Sequence, residues 1–179
     1  MRTYKSFDNK YLKIVKEMKT FKEFLDESSL SRIKSKSDKG GIALMSASRA
    51  DKSAKENRAR AKQLDKDIRG RGLGGATKVT GSYMEKDKKT GEEKKVKERS
   101  HVVSSGKMGK RKFKKEVKKL GKKYGQDSVL TQTKKTGTLH RTRKGGLDKK
   151  GENVGRFQPQ GKNPYGQSQI KGKTFAYNK

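Results

Sequence analysis

The chain has 179 residues, with 50 Lys or Arg against 19 Asp or Glu, a formal charge of +31. It contains no Cys, two His and 27% hydrophobic residues, which excludes disulfides, thiolate metal sites and a His-built metal cluster and leaves material for one small core among long polar stretches. There is no run of eighteen apolar residues to form a membrane helix, and Met1 to Phe7 lacks the apolar region of a secretory signal.

Residues 1–40 read as an amphipathic N-terminal segment and a linker. Tyr11, Ile14, Val15 and Met18, then Phe21, Phe24 and Leu25, recur at helical spacing, and Ser28 to Ser37 has the composition of a polar spacer. The stretch from Met1 to Phe7 is echoed by Met18 to Phe24, which makes Met18 an alternative start. Residues 41–143 carry the pattern of an α+β domain. Ile42 to Ala47 is a short apolar run expected as a buried strand. Ser53 and Glu56 form a capping box, each side chain bonding an amide freed at the start of a helix. That helix places Asn57, Ala61, Leu64 and Ile68 on one face and stops at Gly70 or Gly72. Thr77 to Met84 and Val96 to Val103 alternate as strands. A second helix, from about Gly109, carries the stripe Phe113, Val117, Leu120 and Tyr124 and ends at Gly125. Ser128 to Thr133 and Thr138 to Arg143 flank a turn through Gly137 and read as a hairpin. The order βαββαβ predicts a small ferredoxin-like core with an extra C-terminal strand and disordered basic tails. Residues 144–179, rich in Gly, Lys, Asn and Gln, read as a flexible basic tail in which Phe157, Tyr165, Phe175 and Tyr177 can stack on bases or anchor to a partner.

So large an excess of one sign favours a polyanionic partner, because neutralised phosphates release their counterions. Lys107, Lys110, Arg111, Lys112, Lys114, Lys115, Lys118, Lys119, Lys122 and Lys123 crowd the second helix, and Arg49, Arg58 and Arg60 lie around the first. These residues are expected to contact phosphate without reading sequence. The predicted partner is nucleic acid, DNA ahead of RNA, with no catalysis, cofactor, metal or membrane. Two other classes stay open. One is a structural protein docking on other proteins. The other is a small ligand-binding or enzymatic α/β domain using Ser46, Arg49, Glu56, Asn57 and His101. Gly72-Leu73-Gly74-Gly75 reads as a helix-to-strand turn, since it lacks the Gly-Lys-Ser/Thr ending of a phosphate loop.

Two resemblances add a source. Met18-Lys19-Thr20-Phe21-Lys22-Glu23-Phe24-Leu25-Asp26-Glu27 resembles the capsid-targeting segment of internal head proteins of T-even-like tailed phages, which is cut after Leu/Ile-x-Glu. That resemblance implies processing at Glu27. Ser46-Ala47-Ser48-Arg49, Glu56-Asn57-Arg58, Gly81-Ser82-Tyr83 and Glu98-Arg99-Ser100-His101-Val102-Val103 resemble an uncharacterised small basic α/β protein of cyanobacterial or T-even-like myoviruses. Together they imply a phage nucleic-acid-associated protein in the virion or the host cytoplasm, with phage capsid or tail proteins as further partners.

Overall fold

The computed structural model describes residues 30–86, 90–142, 151–159, 161–163 and 166–178. In chain order these form α1 (30–39), β1 (Ile42–Ser46), α2 (Ala54–Gly70), β2 (Gly74–Lys86), β3 (Glu93–Ser104), α3 (Lys110–Lys123), β4 (Ser128–Gln132), β5 (Gly137–Arg141), β6 (Glu152–Pro159), β7 (Gly166–Ile170) and β8 (Lys173–Asn178). The strands close into an antiparallel barrel in the order β1-β3-β2-β7-β8-β6-β5-β4. No helix among the described residues is long and apolar enough to cross a membrane.

The expected ferredoxin-like core with disordered basic tails is therefore replaced by a closed eight-stranded barrel. Its run β4-β1-β3-β2 has two helices outside it, but β2 goes on to pair with β7, and β8, β6 and β5 complete the circle. The physical reason lies in the segment read as a tail. Phe157, Phe175 and Tyr177 point inward and pack on one another, with ring centroids 5.2 Å apart for Phe157 and Phe175 and 6.0 Å for Phe157 and Tyr177. Backbone pairing on both sides then holds strands that have few other apolar residues. At the other end, residues 30–39, read as spacer, are helical and bury Leu30 and Ile33. The amphipathic stretch up to Leu25, the cut site at Glu27 and Tyr165 lie outside the described residues.

Two apolar clusters sit on opposite faces of the barrel wall, as strand alternation requires. Outside, Leu64 and Ile68 of α2 and Phe113, Val117 and Leu120 of α3 pack on Ala43, Met45, Val103 and Val129. Inside, Ile42, Val79, Val102, Ile170 and Phe175 fill one end, and α1 stops that end with Leu30 and Ile33. The outer helices are tied to each other by polar bonds. Arg71 reaches Glu116 at 2.5 Å, while Asp67 accepts from Lys123 at 2.6 Å and from the Tyr124 hydroxyl at 2.7 Å. The Lys123 ammonium, with Tyr124 and Gln63 as further donors, holds the Asp67 carboxyl below its usual range.

α3 approaches the sheet so closely that Gly121 has no space for a side chain. A Cβ there would stand 2.5 Å from Val129 Cγ1 and 3.0 Å from Thr142 Cγ2. Gly121→Ala is expected to cost about 1–3 kcal/mol through overpacking, measured by urea denaturation. Under the same helix His140 is 1% exposed and shares a 2.8 Å hydrogen bond with Thr131. Burial, with Lys114 and Lys118 nearby, pushes its pKa down to about 4. The unfolded chain takes up this proton near pH 6.5, so between about 6.5 and 4 protonation favours unfolding, and stability falls as pH falls by on the order of 3 kcal/mol. In His140→Gln the melting temperature should depend less steeply on pH across that window.

Candidate active site

β1 is five residues long and covers β3 only from Ser104 to Ser100 and β4 from Gln132 to Leu130. β3 runs on toward Glu93 without β1 beside it, so beyond Ser46 the wall between β3 and β4 has no strand. Residues 47–53 lead away from this notch into α2.

A cavity of about 340 Å³ fills the open end of the barrel behind the notch. Alternation along β3 turns Val96, Glu98, Ser100 and Val102 to one face, and Val102 lies in the inner core. Ser46, Ser100, Ser128 and Ser168 give the cavity wall hydroxyls, while Leu44, Leu130, Leu139 and Val154 give it apolar surface. Gly81 stands opposite Glu98 in the β2–β3 register, and a Cβ there would come 2.9 Å from Ser100 Oγ. The glycine thus keeps the wall thin where Glu98 stands. Glu98 is the one charged side chain among the described residues lining this cavity. Tyr177 also lines it, and its buried hydroxyl has no hydrogen-bond partner among the described residues. Burial raises the Tyr177 pKa.

A second, open cavity of about 790 Å³ lies outside the notch, between residues 48–51, the start of α2, β3 and residues 125–128. It shares Tyr83, Glu98, Gln126 and Ser128 with the inner cavity. The two are halves of one site that meet at Glu98 and Tyr83. The outer half has the opposite chemistry, with Arg49, Arg58, Lys97 and Arg99 facing Asp51 and Asp127.

The loop at the notch is held by a dense set of bonds. Ser46 Oγ donates to Arg99 O at 2.8 Å and accepts from Ser48 N at 3.0 Å. Asn57 Oδ1 accepts from Arg49 N at 3.0 Å, and its Nδ2 donates to Arg49 O at 2.9 Å. Arg49 donates to Gly125 O at 2.7 Å and to Asp51 at 2.8 Å, and the bond to Asp51 raises the arginine pKa and lowers that of the aspartate. Arg60 donates to Ala47 O at 2.7 Å and Tyr124 O at 2.6 Å. Ser53 and Glu56 form the capping box of α2, and the bonds from Ser53 lower the Glu56 pKa.

The residues singled out in the sequence are thereby dispersed. Ser46 lines the inner half of the site, and Arg49, Arg58 and Asn57 line the outer half. Glu56 caps a helix. Arg60 clamps the loop. His101 is on the far side of the β3 wall, under α2, with Nε2 3.1 Å from Asp65 Oδ1 but not aligned for a good hydrogen bond. Burial, with Lys78 nearby, lowers its pKa despite Asp65. Lys107, Lys110, Arg111, Lys112, Lys114, Lys115, Lys118, Lys119, Lys122 and Lys123 lie on or just before α3, outside the barrel, and none lines either half of the site. Sequence reasoning passed over Glu98 and Tyr83. The available signal was the alternation that puts one acid between Val96 and Ser100 on a strand otherwise flanked by Lys and Arg. No group of three or more His, Cys, Asp or Glu able to hold a metal occurs among the described residues.

Residues 43–178 match the model of the S-adenosylmethionine lyase family. The chain is also similar to a solved phage SAM lyase in complex with S-methyl-5'-thioadenosine, at 16% identity and a TM-score of 0.34, over 64% of this chain and 86% of that one. No curated protein sequence matches.

The two bonds from Arg60 fix the start of the notch loop, whereas Arg58, two residues earlier, is exposed. Arg60→Met is expected to lower stability by about 1–3 kcal/mol, because it leaves half-buried carbonyls without their donor. Arg58→Met should stay within about 0.5 kcal/mol. Equal losses in chemical denaturation would contradict this division of labour.

Proposed function

Since the chain belongs to the S-adenosylmethionine lyase family, we propose that the cavity behind the notch binds S-adenosylmethionine and promotes cleavage of a carbon–sulfur bond at its sulfonium. Membership corrects the expectations drawn from charge and from resemblance. The protein is an enzyme and not a non-catalytic nucleic-acid-associated protein, its partner is a small molecule in place of DNA or RNA, and the likeness to capsid-targeted head proteins or to a structural virion component does not describe it. The class left open as an enzymatic domain is the one supported, although a barrel carries it and not an α/β sheet.

The observation that carries this reading is the sign of the inner cavity. In a chain of formal charge +31, the described residues lining it include one carboxylate, Glu98, and no Lys or Arg. Such a site favours a cation, and the substrate's sulfonium is one. Tyr83, beside Glu98 at the junction, adds an aromatic ring suited to a positive charge. The aliphatic and tyrosine surface further in suits a nucleoside base, and the volume lies within the range of small-molecule sites.

A lyase parts the bond without adding water. The electron pair of the broken bond goes to sulfur, which leaves as a neutral thioether, so no acid is needed for the leaving group. In the same step the carbon must take a nucleophile from its own fragment, or a neighbouring C–H must give up its proton as a double bond forms. Glu98 is placed to face the positive charge shared by the sulfonium and the carbon under attack, or to take that proton. Attraction to the sulfonium alone would tighten binding without accelerating the reaction; acceleration requires contact with the carbon side. S-adenosylmethionine is a cytoplasmic metabolite, and this reading places the enzyme's action in the host cytoplasm.

Incubated with S-adenosylmethionine, the purified protein should release an adenosine thioether, followed by chromatography at the absorbance of adenine. Glu98→Gln should lower kcat/KM by roughly 10²-fold or more while leaving circular dichroism unchanged. Failure of the wild-type protein to turn over the substrate would sink the proposal.

A further inference from the structure

The described lining of the inner half has one carboxylate and no cation, whereas that of the outer half has four cations beside Asp51, Asp127 and the shared Glu98, a difference that bears on which way the proposed substrate enters. S-adenosylmethionine carries a sulfonium between a neutral nucleoside and an amino acid with a carboxylate. A carboxylate placed in the inner half would meet Glu98 and, among the described lining residues, no cation. Burying it there unpaired would cost several kcal/mol. The outer half has four cationic side chains, but they are not equivalent. Arg49 is committed to Asp51 and Gly125 O. Arg58 on α2 and Arg99 on β3 are exposed, and among the described residues no hydrogen bond holds either guanidinium. Glu98, directly before Arg99 in the chain, points to the opposite face of the same strand. Arg58 and Arg99 both line the outer half, which Glu98 also borders, so an anion outward from a cation at Glu98 has these two guanidiniums within the same cavity.

Resting on the S-adenosylmethionine reading, we infer that Arg58 and Arg99 hold the α-carboxylate of the substrate's amino-acid end, which points out through the notch while the nucleoside lies inward. The consequence is selectivity. A sulfonium nucleoside lacking the carboxylate keeps its attraction to Glu98 and to the inner wall but loses the outer anchor. Guanidinium groups suit the role because they grip a carboxylate in a planar, two-pronged arrangement.

The test uses isothermal titration calorimetry to compare dissociation constants for an uncleavable analogue of S-adenosylmethionine, in which an ammonium-bearing carbon replaces the sulfonium, and for the decarboxylated form of that analogue. The proteins are wild type, Arg58→Gln, Arg99→Gln, the double variant, and Lys112→Gln/Lys115→Gln as a control that removes the same net charge from α3. Wild type should prefer the carboxylated ligand by about 10-fold or more, as expected for charge-assisted bonds. The preference should shrink in each single variant and vanish in the double variant. Affinity for the decarboxylated analogue should stay unchanged, and the control should keep the wild-type ratio. A ratio near one in wild type, or one that survives in the double variant, would overturn the inference and leave the S-adenosylmethionine reading standing. Absence of any turnover of S-adenosylmethionine by wild type would overturn both.

Discussion

The structure depends on the problem of filling a closed eight-stranded barrel from a chain with 27% hydrophobic residues. A barrel of this size has an interior just wide enough to be packed by side chains or to hold one small ligand. Here both solutions occur in the same barrel. Ile42, Val79, Val102, Ile170 and Phe175, with Leu30 and Ile33 of α1 as a stopper, pack one end. The other end is lined by serines, aliphatic residues and tyrosines around a hollow. The apolar residues that could have filled it are on the outer face instead, under α2 and α3, where they attach two very basic helices to the wall. Hollowness is thus a consequence of where a limited apolar supply is placed.

The shortness of β1 converts this hollow into a site. A longer β1 would continue the wall past Ser46 and separate the inner cavity from the outer one. Because the strand stops, the backbone bonds that would have satisfied the wall there are replaced by side chains: Ser46, Asn57, Arg49 and Arg60 hold carbonyls and amides of residues 47–49, 99 and 124–125. Two arginines and an asparagine do for this loop what a ladder does for a strand. That explains why cations that look like surface charges in the sequence are partly withdrawn from solvent and bound to main-chain oxygens.

Much of the element order was legible in the sequence, and the closure was not. The capping box at Ser53 and Glu56 and the stripe Phe113, Val117, Leu120 and Tyr124 mark α2 and α3 because helical spacing is a local signal. The strands from Glu152 to Asn178 were invisible for the opposite reason: Gly155, Gln158, Gln167 and Gln169 carry no alternation strong enough to stand alone, and the strands are held by neighbours far away in sequence. Aromatics at Phe157, Phe175 and Tyr177 were noticed as isolated features of a polar tail, yet their meaning depends on all three reaching one interior. The site was obscured in the same way. Ser46, Arg49 and Asn57 were visible as a polar group near a strand end, but Glu98 becomes exceptional only when β2 and β3 are in register and Gly81 is seen opposite it.

Net charge describes the surface a protein presents, and an active site can have the contrary sign without changing that sum. The cations of α3 are outside the barrel and line neither half of the site, so their number says nothing about what the hollow accepts. On the proposed reading the ligand is selected by the local gradient across the notch, from an interior with one carboxylate and no cation among its described lining to a mouth where four cations face Asp51 and Asp127. A neutral or uniformly anionic molecule gains little from such a gradient. A molecule with a cation at its middle and a carboxylate at one end gains at both positions only in one orientation, so the polarity of the site acts on the direction of entry as well as on identity.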